Sequence, residues 1–345
     1  MPSSPDTTMR ASLIALLAFA AGVLAMLLVQ GWLPHPAAQP LRTQPSARPA
    51  PALLDDAEAT ALPPDDWPEQ APTPEQVLYT QPPLLDAALA RLRPRIPGKP
   101  NLYLLAFAGD GTEDVFHNEA EYAARLFTRH FGPTAHALVL ENSPDTLTIR
   151  PLATWSNLES ALDGLANVMD PQQDILLLYL TSHGSEDHTL LVDMDPLPLD
   201  QIGAQDLGAI LGARPFKWKV VVVNACYSGG FIPPLQGDGT LVLTAARSDR
   251  SSFGCGNDSA ATYFGRAWLI DALNRTPDFI AAFAQAKDEI AKWEHQERLL
   301  PSEPQMAVGK GIAAQLARWR RGLMPGPTVP FQPATQPQVS MAARP

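Results

Sequence analysis

Two apolar runs, LLLYLTSHGS (Leu176 to Ser185) and VVVVNACYSGG (Val220 to Gly230), constrain this chain more than any other feature. Runs of this length, rich in Leu and Val and followed by small polar residues, predict strands buried on both faces. Strands of that kind belong to a parallel sheet covered by helices, and such sheets form their sites at the carboxyl ends of the strands. Each run stops there in a reactive residue, His183-Gly184 in the first and Cys226 in the second. If the two strands lie side by side, an imidazole and a thiol meet at one edge of the sheet.

The surrounding sequence supplies the rest of a sheet. Asn101 onward (NLYLLAFAG), Ala135 to Asn142 and Thr240 to Ala246 read as further strands. Apolar residues recur at helical spacing over His117–Phe131, Trp155–Met169, Tyr263–Leu273 and Phe279–Trp293, and Leu207–Leu211 reads as part of another helix. The alternation βαβαβαβ predicts a mainly parallel sheet with right-handed crossovers. Ser302–Gln305 reads as the start of a last strand.

Proline crowds two stretches, Pro34–Pro100 and Pro325–Pro345, and so brackets one α/β domain over 99–321. Residues 34–98 then read as a Pro/Ala-rich spacer and 322–345 as a flexible Pro-rich tail. Behind a short segment 1–10, residues 11–33 are apolar and uncharged, long enough at a helical rise to cross a bilayer. This predicts an uncleaved N-terminal transmembrane anchor, with a signal sequence cleaved near Pro36-Ala37-Ala38 as the alternative. A single span with a large domain behind it predicts an extracytoplasmic, periplasmic domain held off the membrane. The net charge of −11, with no basic stripe, excludes nucleic acid as a partner. Cys226, His183, His188 and Cys255 show no short paired spacing, so no metal and no cofactor is expected.

Cysteine acts as a nucleophile in its thiolate form, and an imidazole nearby favours that form or collects the proton. Gly184, without a Cβ, lets its N–H approach a substrate closely; with the Cys226 N–H it makes a two-donor oxyanion hole. A disulfide between Cys226 and Cys255, the only two cysteines, is the competing reading for an exported chain. His117 and His188 read as surface or packing residues. Asp114, in EDVFHNEAEYAA, reads from the residues alone as a cap of the following helix.

Strand-His-Gly followed one helix later by strand-Ala-Cys-x-Ser-Gly resembles the legumain-type cysteine peptidases, relatives of caspases. RSDRSSFGC (Arg247 to Cys255) and ATYFG (Ala261 to Gly265) resemble the family's segment lining its specificity pocket. The resemblance implies a caspase-like three-layer sandwich, with Cys226 as nucleophile, His183 as base, Gly184 as oxyanion donor and Asp114 in place of an orienting Asn. It also implies substrate contacts at Asn224, Ser251, Ser252 and Arg266. Asn224 and Arg266 replace acidic residues of the family's pocket, so asparaginyl specificity does not carry over, and cleavage after Asp or Glu becomes a hypothesis. The function expected is a membrane-tethered cysteine endopeptidase acting on polypeptides. The alternatives are a transamidase using the same acyl-enzyme and a non-catalytic binding module on the same fold.

Overall fold

A computed structural model describes residues 67–333, Glu69 and Asn257 excepted. The proposed anchor, 11–33, lies outside them; among the described residues no helix is long and apolar enough to cross a membrane.

The two apolar runs are strands β3 (Ile175–Thr181) and β6 (Trp218–Asn224), and they are neighbours. They join β1 (Leu102–Ala108), β2 (Ala135–Glu141), β7 (Thr240–Thr244) and β8 (Gln305–Val308) in one sheet of order β2-β1-β3-β6-β7-β8. All neighbours are parallel except β7 and β8, which run antiparallel. A hairpin-like pair, β4 (Thr189–Leu190) and β5 (Ile202–Gly203), stands apart from the sheet.

The unbroken hydrophobicity has a direct cause, because alternate residues of each strand enter different cores. Ile175, Leu177 and Tyr179 of β3 and Val220 and Val222 of β6 enter one core; Leu176, Leu178, Leu180, Val221 and Val223 enter the other. Helices α3 (Asp114–His130), α7 (Phe279–Glu297) and α8 (Ile312–Arg320), with a π-wound helix Gly265–Ala272, contribute residues to the first core. Helices α2 (Gln81–Ala90), α4 (Trp155–Val168), α5 (Ala204–Gly212) and α6 (Ile232–Leu235) contribute to the second. This is a helix–sheet–helix arrangement that fits a caspase-like α/β fold. Each large side chain taken from water in these layers contributes about 1.5–3 kcal/mol.

Two domain boundaries differ from the sequence reading. The stretch assigned to a spacer contains α1 (Pro74–Tyr79) and α2, so the folded unit begins before Lys99. Thr73 closes a capping box with Gln76, and Pro74, Pro82 and Pro83 sit in first turns, where a missing N–H costs nothing. Gln81 then ties α2 to the domain by accepting from the Leu152 N–H (2.7 Å) and the Asn157 amide (2.8 Å). At the other end, residues 323–331 of the tail lie along α3. The Tyr122 hydroxyl donates to the Val329 carbonyl (2.9 Å), Phe331 packs edge-on to Tyr122, and Gly326 N–H donates to His130 O.

Candidate active site

The site is assembled by strand register. Thr181, the last residue of β3, pairs with Asn224, the last of β6. His183 and Cys226 each follow two residues later, so the same offset past two parallel neighbours delivers both to one end of the sheet. The crossing of the two segments is tight. A Cβ added to Gly184 would meet the Cys226 carbonyl oxygen well inside contact distance, and would lie 3.1 Å from the Ala225 Cβ. Only glycine permits this approach.

Past β3 the chain turns back on itself. Leu191 N–H donates to His183 O and Ser185 N–H donates to Thr189 O, which leaves Gly184 at a non-hydrogen-bonded position of its bridge with Leu190. Its N–H therefore points away from the hairpin, and no group among the described residues accepts from it or from the Cys226 N–H. Tyr227, directly after Cys226, is held at φ 55°. Its N–H donates to Arg250 O (2.7 Å), which ties the Cys226 turn to the 247–262 segment.

That segment surrounds the thiol. Ser252 N–H donates to Cys226 Sγ at 3.3 Å, with the Ser252 carbonyl and hydroxyl each 3.6 Å away. Both cysteines are free thiols, not a disulfide. The neighbouring Cys255 thiol, and then Ser252 and the charge of His183, bring Cys226 down to about 5, against the opposing effect of burial. Cys255 moves the other way, since it keeps its proton beside the Cys226 thiolate and is itself buried. Cys226 is thus poised as a thiolate, the form that attacks.

His183 packs edge-on against Phe116, with ring centroids 5.1 Å apart, and its Nε2 lies 3.5 Å from Asp110 Oδ2. The carboxylate facing the imidazole is therefore Asp110, not Asp114. Asp110 is 1% exposed, and its other oxygen accepts from Thr112 N–H (2.8 Å) and Oγ1 (2.7 Å). Asp114 is the first residue of α3, where a negative charge suits the helix dipole. Glu113, the residue before it, has a buried oxygen with no protein partner. Burial pushes its carboxyl up, against the charge of His183. Sequence reasoning passed over both Asp110 and Glu113. Asp110 directly follows the Gly turn of the first strand, which was the available signal.

The remaining sequence-assigned residues are distributed differently. Ser252 touches Cys226 and Ser251 is exposed beside it. Asn224 is buried under the site, and its amide donates to Glu119 at 2.7 Å and to the Thr262 hydroxyl at 2.9 Å. Arg266 is exposed and pairs with Asp271 (3.2 Å), while Asp249 pairs with Arg247. His117 is buried against Glu141 (3.0 Å), and the ring of His188 fills the space that a side chain at Gly230 would need. An open cleft of about 520 Å³, lined by His183, Gly184, Ser185, Asp187 and Gln201 among others, extends from the imidazole. Among the described residues no cluster of His, Cys, Asp and Glu has the makings of a metal site.

No curated protein matches the chain. Residues 156–315, which run from α4 through both site-bearing strands to the start of α8, match the family described as Peptidase C13. With a cysteine and an imidazole brought to one end of a parallel sheet inside that span, residues 156–315 are similar to the Peptidase C13 family, the legumain family of cysteine peptidases.

Proposed function

We propose that this chain is a membrane-anchored, extracytoplasmic cysteine endopeptidase that cuts polypeptides through a Cys226–His183 dyad. The observation that carries the reading is the environment of Cys226, a thiol held near 5 at the end of a buried strand beside an imidazole. At neutral pH the Cys226 thiolate attacks the scissile carbonyl. The negative charge that develops on the carbonyl oxygen is taken by the unengaged N–H groups of Gly184 and Cys226, each worth on the order of 3 kcal/mol in the transition state. His183, oriented by Asp110, protonates the departing amine and leaves a thioester on Cys226. Water, deprotonated by the same imidazole, then releases the acid. Ser251 and Ser252 border the residue before the cut. Asn224 is buried beneath them and acts from inside the protein. The apolar segment 11–33 supports the anchor, and the export of a large domain behind a single span supports the extracytoplasmic side.

The test uses the full chain and its Cys226→Ala partner with a peptide library varied at the residue before the scissile bond, read by mass spectrometry. Cuts present in the first and absent in the second are the expected result, and the library reports the preferred residue directly. Joined peptides in place of cuts would assign a transamidase. No Cys226-dependent product from folded, reduced protein would sink the catalytic reading.

A further inference from the structure

Glu119 lies on α3, far in sequence from the reactive residues, and is fully buried. It forms no ion pair among the described residues. Five donors converge on it instead. Oε2 accepts from the Tyr179 hydroxyl (2.8 Å), the Thr181 hydroxyl (2.7 Å) and the Asn224 amide (2.7 Å). Oε1 accepts from the Thr262 N–H and the Thr262 hydroxyl, both at 2.8 Å. The Thr262 hydroxyl already accepts from Gly265 N–H and from the Asn224 amide, so its own proton is free to go to Glu119. A carboxylate is acceptor-only, with about four lone-pair sites, and this surround of donors matches it. Burial pushes the Glu119 carboxyl up, and the hydrogen bonds from Thr181, Thr262 and Tyr179 oppose that shift.

The donors come from the three chain segments that build the site. Thr181 ends β3, two residues before His183. Asn224 ends β6, two residues before Cys226. Thr262 closes the segment that carries Ser252 and Cys255. Even the helix that follows is shaped to this group, because a Cβ at Gly265 would collide with the Glu119 carboxylate.

We propose that Glu119 is a positioning residue, one buried carboxylate that fixes the ends of β3 and β6 and the 247–262 segment relative to one another and so sets Cys226 against His183 and Ser252. It touches no substrate and acts through Thr181, Asn224 and Thr262. The proposal rests on the peptidase reading for its kinetic consequence only; the reactivity of the thiol tests it separately.

The decisive variants are Glu119→Gln, Asn224→Asp and the two combined, each in the full chain. Glutamine keeps the shape but puts an NH2 against either the Asn224 amide or the Thr262 N–H, whichever way it turns. Misplacement of a catalytic group by about 1 Å costs on the order of 10²-fold, and a drop of that size is expected in kcat with KM changed less than about twofold. The rate of Cys226 alkylation by iodoacetamide, mapped by peptide mass, is expected to fall with it. Asn224→Asp alone sets two carboxylates together and should lose as much. The double variant exchanges carboxylate and amide across the same contact, and should recover to within about tenfold of wild type because the hydroxyl donors rotate to suit. Loss of fold cannot produce that recovery.

A folded Glu119→Gln protein with wild-type alkylation and kcat would overturn the proposal, and so would a double variant no better than the single ones. Should Glu119→Gln not fold, Thr181→Val, which is nearly isosteric and removes one donor, decides: unchanged alkylation of Cys226 refutes the role. If alkylation follows the expected order while the wild-type chain cuts no peptide, the positioning role stands and the peptidase reading falls.

Discussion

Replacing Gly184 by Ala places one methyl group between the two halves of the site. The Cβ would overlap the Cys226 carbonyl oxygen and stand 3.1 Å from Ala225 Cβ and 3.2 Å from the Cys226 carbonyl carbon. Carbon atoms pack best at about 3.5–4.0 Å, so the two segments must part by about 1 Å. That displacement moves both proposed oxyanion donors off the position the oxygen must occupy. Loss of one such donor costs about 10²–10³ in kcat, or about 2.7–4 kcal/mol, and a reduction in kcat/KM of that order is the expectation. The structural cost is separate and smaller, about 1–3 kcal/mol for one methyl forced into a packed region. Peptide cleavage by the full chain measures the first effect and a thermal melt the second. Gly212→Ala is the matched control, since a Cβ there meets nothing within 4 Å and should leave the rate unchanged. A folded Gly184→Ala protein within about threefold of wild type would refute the close approach as the reason for this glycine, since a transition-state loss of several kcal/mol cannot leave the rate intact.

The thiol pair makes a prediction about stability. Cys226 titrates at about 5 in the folded chain, while Cys255 is held protonated well above its ordinary range. Unfolded, both titrate near 8.5, so between pH 5 and about 8.5 the unfolded chain binds the extra proton and stability rises with pH. Above that window the folded chain keeps a proton that the unfolded one has lost, and stability falls. Melting temperature against pH should therefore show a maximum that disappears in Cys226→Ala, and a flat difference between the two curves would contradict it. Cys255→Ala removes the first cause of the Cys226 shift, so the pH midpoint of Cys226 alkylation should move upward from about 5. Asp110→Ala removes the carboxylate from His183; kcat should fall by about 10–10²-fold while Cys226 alkylation at high pH stays normal, and an unchanged kcat would dismiss Asp110 as the orienter. Truncation after Gly322 uncovers the groove filled by Val329 and Phe331. About 2–4 kcal/mol of stability should go with it, and an unaltered melt would show that the strap contributes nothing.

Much of the site was legible because its main geometry is local. Period-free Leu and Val runs announce strands buried on both faces, and a His or Cys two residues past such a strand reaches the carboxyl edge wherever the strand pairs. The adjacency of β3 and β6 followed from a single intervening crossover, and Gly184 and Ser252 followed from the motifs themselves. The N-terminal helices were missed because Pro74, Pro82 and Pro83 read as spacer composition, although proline is at home in a first helical turn.

What the amino-acid order determined by itself was the class of the fold and the delivery of His183 and Cys226 to one end of the sheet, since alternation, run length and the residues at strand ends are encoded within a few positions. The tertiary structure alone decided the partners. It set Asp110 rather than Asp114 against His183, turned Asn224 inward to Glu119, brought Cys255 to Cys226, gave Arg266 to Asp271 and laid the Pro-rich strap on α3. Contacts of this kind join residues from separate segments brought together by the packing of sheet and helices. No periodicity along the chain records which of several carboxylates, amides or thiols that packing will leave within 3 or 4 Å.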